Sequence, residues 1–526
     1  MKPKVFIKDV LGELPFTAEL YWLLRQRERK AFSRFNLEAL KVRLPEMVSQ
    51  VSPHADSAPA GKNVFCFASL HFWISHVAVT GLILRGLGHN VTLGYLPYSD
   101  FAKPINRFDL RRHDLYAKHV FQGIKPLLKT ISFLDLEQER NLPGALAQAV
   151  EKVTVFDTQY TLQREIVAGN EPIYQLRHER NLGAACKAYA YFRKNRPDVV
   201  IVPNGMIQEF GAVYEAARFL DIPVTTYEFG EQDRRVWLGQ NRQVMYHIVD
   251  EQWTPHRTRK LDAGQRTWLE TFLAERQGLS TGDKFTHLWQ KVSRTGGERT
   301  RQALGLDARP IVLLPTNVLG DSATLGRTVF SRSMADWVAR TVKFLAGRPE
   351  VQLVVRIHPG ETLTVGPSVA EIIQQTLPEL PPHIRMIGAT EKVNTYDLME
   401  ITDLALVYTT TAGLEMALRG IPVMVSGGAH YRKKGFTLDA DSWEEYFCQL
   451  GALLPDLSSH RLTQEQVETA WNYAYFFFRE YPRPFPWHIE RLGKNLDNFP
   501  MAEVLNGKGR VDFETTFQQM AGMPVD

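Results

Sequence analysis

The sequence predicts an α/β protein built of two Rossmann-like domains that face a cleft. Three observations carry this expectation. The chain has 526 residues, more than one hydrophobic core holds, since single cores stop growing at roughly 250–300 residues. Short apolar runs alternate with segments of helical spacing over residues 63–227 and again over 310–428, the pattern of parallel, doubly wound sheets. Between the two series, residues 254–300 are polar and basic, as expected of a connection between domains.

Taken in order, residues 17–44 carry apolar positions at helical spacing together with Arg25, Arg27, Arg29, Lys30 and Arg34. Such a helix either packs on its domain with the charges in water or lies on anionic lipid. Residues 48–62, rich in Ser, Pro, Ala and Gly, read as a linker. A strand at 63–70, a helix at 75–87 and a strand at 90–96 open the first series, and residues 100–150 read as mostly helical. A strand at 198–203, a helix at 207–220 and a strand at 222–227 complete it. The second series has strands at 310–317, 351–357, 384–388, 404–408 and from Ile421, with helices at 332–346, 368–376, 394–400 and from Thr411. A last long helix covers 463–480 and a Pro-rich stretch follows. The expected division is therefore 1–60 helical segment and linker, 61–290 first domain, 300–470 second domain, and 471–526 terminal helix and tail.

Composition narrows the function. Hydrophobic residues make up 44% and charged residues 23%, ordinary for a soluble globular protein. A net charge of +4 is too small to make nucleic acid the main partner. Cys66, Cys186 and Cys448 lie far apart without a CxxC pair, which fits a reduced compartment and no structural metal. The first residues lack the apolar core of a signal peptide, and there is no run of about 18 apolar residues to span a membrane. The expected location is cytoplasmic, with peripheral contact at the inner membrane face open through the basic helix. No GxGxxG follows the first strand and no GxxxxGK[ST] occurs, against dinucleotide oxidoreductases and P-loop NTPases.

Ligands of open α/β sheets bind beyond the carboxyl ends of the strands, so those ends hold the candidates. Arg356 and His358 stand two apart on a strand and share a face, and Pro359 keeps His358 extended. A guanidinium and an imidazole there suit a phosphate, although a core histidine beside a turn arginine would give the same residues. Thr409, Thr410 and Thr411 sit where a strand meets a helix, a place that binds phosphate or simply caps the helix. Glu415 lies four residues after Thr411, placed for ribose hydroxyls or for dipole compensation. Gly427 and Gly428 permit close backbone approach to a ligand, and Lys434 follows in a basic loop. Asn317 and Asp321 follow the second domain's first strand, with Asp321 a candidate general base. In the first domain the strand-end candidates are His71, His76, Asn204, Glu228 and Glu231. Asp439-Ala440-Asp441 has the form of a metal-binding DxD but follows no clear strand, so no metal is expected.

Over residues 310–480 these segments together resemble the capsule polysaccharide biosynthesis family of glycosyltransferases, which includes transferases of 3-deoxy-manno-octulosonic acid (Kdo). The segments are Leu313–Ala323, Arg356–Gly360, Val407–Val423 and Gly427–Thr437. The resemblance implies a two-domain GT-B arrangement, usually independent of metal. It implies a nucleotide-sugar donor, CMP-linked in the Kdo transferases, and a saccharide or glycolipid acceptor. By resemblance, His358, Pro359 and Thr409 to Thr411 contact the donor nucleotide and its phosphate. The loop with Asp321 matches one that carries an acidic residue needed for transfer. Here Asn317-Val318-Leu319-Gly320 precedes it, where Kdo transferases often read Gln-Val followed by acids. Asp321, Glu228 and His71 are thus the catalytic candidates. An NDP-sugar 2-epimerase and a non-catalytic sugar-nucleotide-binding scaffold share the architecture and remain the alternatives.

Overall fold

The structure is a computed structural model that describes residues 3–24, 35–277 and 292–525. The expected basic run from Arg25 to Arg34, and residues 278–291 of the expected connection, lie outside the described residues. The strands are β1 (Asn63–Ser69), β2 (Asn90–Leu96), β3 (Lys129–Ser132), β4 (Val199–Pro203), β5 (Val224–Glu228), β6 (Arg235–Gln240), β7 (Ile311–Pro315), β8 (Gln352–Arg356), β9 (Ile384–Ile387), β10 (Leu404–Val407), β11 (Val423–Val425), β12 (Leu438–Asp439) and β13 (Arg483–Pro484).

The chain forms two compact units. Unit 1 comprises residues 1–161, 168–245 and 482–526, and unit 2 comprises 162–167 and 246–481. The sheet of unit 1 has the order β13-β6-β5-β4-β1-β2-β3. Its five strands β1 to β5 are parallel, β6 is antiparallel to β5, and β13 is antiparallel to β6. The sheet of unit 2 is parallel throughout, in the order β12-β11-β10-β7-β8-β9. In each unit the chain winds outward from a first strand in one direction and then returns to build in the other. That is the doubly wound order of a Rossmann fold. The strand order reverses between β1 and β4 in unit 1 and between β7 and β10 in unit 2.

The strands read as near-continuous apolar runs because they are buried on both faces. All of Val199–Pro203, Ile311–Pro315 and Gln352–Arg356 are buried. The core of unit 1 joins β1, β2 and β4 to the helix His71–Gly86 through Val64, Phe65, Phe67, Ile74 and Leu82. That of unit 2 joins β7 and β8 to the amphipathic helix Met334–Ala346 through Val312, Leu353, Trp337 and Val338.

Four expectations change. Residues 48–57 are not a linker but the second half of a helix, Glu38–Ser57, despite Pro45 and Pro53. Leu40, Leu44, Met47, Val51 and Ala55 form one buried stripe at helical spacing, and burying it outweighs the cost of the prolines. This helix belongs to unit 1, so residues 1–60 are not a separate segment. The units exchange chain at Met245/Tyr246 and Tyr481/Pro482 rather than near 290–300 and 470. The Pro-rich stretch carries the chain back into unit 1, where β13 pairs with β6 and Phe513, Phe517 and Met520 of the helix Gly507–Met520 join the core. The strands β3, β12 and β13, short and at or near a sheet edge, do not show in the apolar pattern, and neither does β6.

Candidate functional site

The carboxyl ends of β7 and β10 flank the switch point of unit 2, and three expected residues meet there. Asn317 Oδ1 accepts the backbone N–H of Thr409 (3.2 Å) and so ties the two strand ends together. Both residues are buried, and Thr409 Oγ1 finds no hydrogen-bond partner. A buried hydroxyl without a partner costs on the order of 1–3 kcal/mol, so it marks a place that a ligand can complete. Gly427, at the end of β11, donates its N–H to Tyr408 O (3.1 Å). A Cβ there would stand 2.9 Å from Thr409 Cγ2 and 3.0 Å from Tyr408 O, so only glycine lets the loop pass this close. Thr410 O accepts the Tyr431 hydroxyl (2.6 Å), and Thr410 Oγ1 accepts Ala412 N–H (3.4 Å). Thr411 makes no side-chain capping bond, and the helix it precedes, Ala412–Ala417, has six residues. Its dipole is correspondingly weak, so the threonines outweigh the helix end as a source of anion contacts.

The end of β8 is built around His358. Its backbone N–H donates to Thr316 Oγ1 (3.1 Å), and Nδ1 accepts Gly360 N–H (3.0 Å), which caps the turn Pro359–Leu363. Because Nδ1 accepts, the neutral ring carries its proton on Nε2. Burial, with Arg356 adding to it, pushes the imidazole down to about 4. His358 is therefore a neutral donor at pH 7. The Arg356 side chain is engaged with Gly388 O (2.7 Å) at the end of β9, while its buried Nε has no partner. Burial holds its guanidinium below the ordinary value.

The remaining expected residues of unit 2 have partners. Glu415 is buried, and its Oε1 accepts Arg276 Nε (3.1 Å) and Nη2 (3.0 Å), leaving Oε2 unpaired. It borders a cavity of about 250 Å³ with Leu273, Gln277, Arg419 and Trp471. Lys434 is buried and paired to Asp250. Asp439 accepts Lys433 N–H (3.0 Å) and the Thr437 hydroxyl (2.8 Å), and Asp441 is paired with Arg432 (2.9 Å) and Lys433 (2.7 Å). Only Asp441 is hydrogen-bonded to cationic side chains, and among the described residues no group of three potential ligands is gathered. Asp321 follows Gly320, whose φ of +68° turns the loop. Burial raises its carboxyl, and the Ser322 hydroxyl donates to Oδ1 (3.3 Å).

In unit 1 the switch point lies between β1 and β4. Leu70, after β1, has φ +65° and ψ 139°, a conformation that costs a non-glycine residue roughly 1–3 kcal/mol. It turns the chain sharply into the helix that begins at His71. His71 Nδ1 is buried without a partner, and burial lowers the imidazole. His76 is buried between Tyr227 Oη (3.1 Å) and Trp487 O (3.2 Å) and is pushed down to about 3, a neutral core residue. After β4, Asn204 (φ +53°) and Gly205 (φ +79°) form a left-handed turn. Asn204 Nδ2 donates to Glu228 Oε2 (3.1 Å), and Glu228 Oε1 accepts Phe229 N–H (3.1 Å). Enclosure raises the Glu228 carboxyl to about 7 against those two bonds.

Two features escaped the sequence reading. Arg177 is fully buried and binds Asp157 (2.6 Å) and Glu209 (2.9 Å), while Ser69, the last residue of β1, donates to Glu209 (2.7 Å). Asp157, Arg177 and Glu209 stand on separate helices, so no spacing signals the cluster. Arg327, in the loop after β7, is also buried and reaches Gly428 O (2.7 Å). Its Gly326-Arg327 step lies close to Asp321 in sequence, but nothing local shows that it folds back to β11.

Fold and site define a class, the doubly wound α/β proteins with two Rossmann-like sheets and polar groups gathered at their switch points. Residues 281–475 match the model of the family described as capsule polysaccharide biosynthesis protein. The resemblance read from the motifs therefore holds over that segment, which spans β7 to β12. No curated protein matches the chain. Among solved structures, KpsC β-Kdo 2,7 transferase of Thermosulfurimonas dismutans is 14% identical, covering 59% of this chain and 88% of its own at TM-score 0.33. The β-Kdo 2,4 transferase of the same KpsC is 17% identical, covering 52% and 78% at TM-score 0.34. UDP-GlcNAc 2-epimerase from Neisseria meningitidis, bound to UDP-GlcNAc, is 13% identical, covering 80% and 99% at TM-score 0.27.

Proposed function

We propose that the chain is a glycosyltransferase that moves a sugar from a nucleotide-sugar donor to a saccharide or glycolipid acceptor of a surface polysaccharide. The observation that carries this reading is the unit 2 switch point. There Asn317 joins two strand ends beside a buried, unpartnered Thr409 hydroxyl and a loop that only Gly427 fits, inside the segment that matches the capsule family. In this reading Thr409, Thr410 and His358 Nε2 donate to the donor phosphate, and Glu415 Oε2 accepts from ribose. The nucleotide to try first is CMP. Calorimetric titration tests the donor site. Thr409→Val and His358→Ala are each expected to weaken nucleotide binding about tenfold, the loss of one hydrogen bond to a charged group. Because His358 is neutral above about 4, the parent's affinity should change little between pH 6 and 8 on its account. Parent-like affinity in both variants contradicts the assignment.

Glu228 is the general base in this reading and Asp321 its rival. A group that deprotonates a sugar hydroxyl works best with a pKa near the operating pH, and the Glu228 carboxyl, at about 7, meets that condition. His71 stands third, since burial lowers its imidazole. Metal takes no part in the proposed step, so full turnover is expected in EDTA. Loss of turnover in EDTA, with recovery on adding magnesium or manganese, would return Asp439 and Asp441 to consideration.

The reading extends to a cytoplasmic protein in peripheral contact with an anionic membrane. Ile7, Val10, Leu14, Phe16, Leu20, Leu23 and Leu24, on two short helices of unit 1 and the turn between them, expose their apolar side chains, which is the surface such contact requires. Among the described residues no helix is long and apolar enough to cross a membrane. Co-sedimentation with phosphatidylglycerol vesicles should fall several-fold in a Phe16→Glu, Leu20→Glu double variant. Equal sedimentation of parent and variant removes this part of the reading.

A further inference from the structure

Two glutamines of unit 1 have no part in the roles above. Gln208 follows β4 and Gln232 follows β5. They are 7% and 9% exposed, and in each the amide Oε1 has no hydrogen-bond partner. A buried amide oxygen left unpaired costs on the order of 1–3 kcal/mol. Both stand in the loops that flank Glu228. Asn204, which holds Glu228 Oε2 (3.1 Å), opens the loop that ends on Gln208, and Gln232 follows Glu228 in the next loop. Gln208 is kept at φ +57°, a left-handed value that costs a residue with a Cβ roughly 1–3 kcal/mol. The next residue, Glu209, accepts the Ser69 hydroxyl (2.7 Å) and ties this loop to the end of β1. Trp73 closes the same three strand ends together, with its ring 5.9 Å from Phe210 and 6.2 Å from Phe229. Beside it Phe72, 6.2 Å from the Trp73 ring, is 44% exposed. The unpaired groups here are neutral carboxamides, each with an acceptor oxygen and two N–H donors. A sugar hydroxyl both donates and accepts, so it suits a carboxamide, and the C–H face of a sugar ring packs on an aromatic side chain such as Phe72.

We propose that Gln208 and Gln232 bind hydroxyls of the acceptor saccharide beside the one that Glu228 deprotonates, with Phe72 against the C–H face of that sugar. The proposal rests on the reading of Glu228 as the base and of unit 1 as the acceptor site. Recognition of a hydroxyl differs from mere support of a loop in what a variant loses. A lost hydroxyl contact weakens only sugars that carry that hydroxyl, whereas a disturbed loop weakens every sugar.

An array of defined oligosaccharides ending in hexose, N-acetylhexosamine, uronic acid or Kdo is probed with the full chain, and the best-bound member is then titrated. Gln208→Leu and Gln232→Leu should each weaken that saccharide about three- to tenfold, while affinity for CMP or UDP stays within about twofold of the parent. Monodeoxy analogues of its terminal sugar then separate contact from support. The analogue without the contacted hydroxyl should bind parent and variant alike. Parent-like affinity in either variant overturns the proposal, and so does equal weakening of every analogue, which makes the glutamine a support of its loop. A parent chain that binds no saccharide of the array overturns it as well. The reading of Glu228 is judged apart from these results, by the turnover of Glu228→Gln with a nucleotide sugar and an acceptor, so either can fail alone. If thermal melting shows Gln208→Leu to be unfolded, Gln208→Asn decides by the same comparison, since asparagine tolerates the left-handed backbone and shortens the reach of the amide by one methylene.

Discussion

Glu228→Gln is expected to lower the rate of sugar transfer about a hundredfold or more while nucleotide affinity stays at the parent value, because a positioned base typically contributes 10²–10⁴-fold. The pH profile gives the effect its signature. A base must be ionised, so parent kcat/KM should rise with pH through about 7 and level off above, and the glutamine variant should lose that limb. Stability should move the other way. The folded carboxyl is raised from 4.5 to about 7, so between those values the native state binds more protons than the unfolded chain. Stability is then lost as pH rises across that window. Above it the variant, which has no charge to bury, should be the more stable of the two, by on the order of 1–3 kcal/mol. Asp321→Asn is the control. If it loses turnover with intact donor binding while Glu228→Gln stays active, the base is Asp321. If it loses donor binding, Asp321 belongs to the nucleotide site.

Arg177→Met should cost unit 1 about 3–5 kcal/mol, the usual effect of stripping the partner from buried charges. Two carboxylates depend on that one guanidinium. Asp157 and Glu209 are both buried, and the variant would leave them facing each other. Coulombic attraction from Arg177 and Arg180 holds Glu209 below its ordinary value even though burial, the largest influence, raises it. Arg177 also donates to Phe101 O (3.0 Å), and Arg180 holds Asp100 O (2.8 Å) and Lys103 O (2.7 Å). The loop after β2 and the Ser69 end of β1 should therefore loosen together. Urea denaturation gives the size of the loss, and hydrogen exchange of residues 98–103 gives its location. A midpoint within error of the parent would show that the cluster contributes no net stability.

The contrast between these two variants shows what the sequence can reveal. Glu228 is a candidate in the sequence because the buried strand β5 ends on it, and strand ends in an open α/β sheet are where ligands bind. Asn317, Thr409 and Gly427 were readable for the same reason, and the structure gathers them at one switch point. Arg177, Asp157 and Glu209 were unreadable because each sits on its own helix at an ordinary polar position, and only the tertiary fold brings them together. Arg356 and Lys434 lay where expected, but Gly388 O and Asp250 hold them, partners 32 and 184 residues away in sequence. Alternation of elements likewise revealed both sheets but not the return of the chain to unit 1. That return depends on the pairing of β13 with β6, two strands nearly 250 residues apart. The helix Glu38–Ser57 has in its second half the composition of a linker, and only the spacing of Leu40, Leu44, Met47, Val51 and Ala55 marks it as a helix.

The central claim is transfer from a nucleotide sugar to an acceptor, and mass spectrometry of the purified chain with a panel of nucleotide sugars tests it most directly. The panel, CMP-Kdo included, is incubated with and without a saccharide acceptor. The expected result is that one nucleotide sugar disappears, and its free nucleotide appears, only when acceptor is present, with the acceptor gaining the mass of one sugar residue. Conversion of a nucleotide sugar to an isomer of equal mass without acceptor, seen as a second chromatographic peak, would contradict the account and point to an epimerase. Binding of a nucleotide sugar with no turnover under either condition would contradict it as well and leave a non-catalytic scaffold.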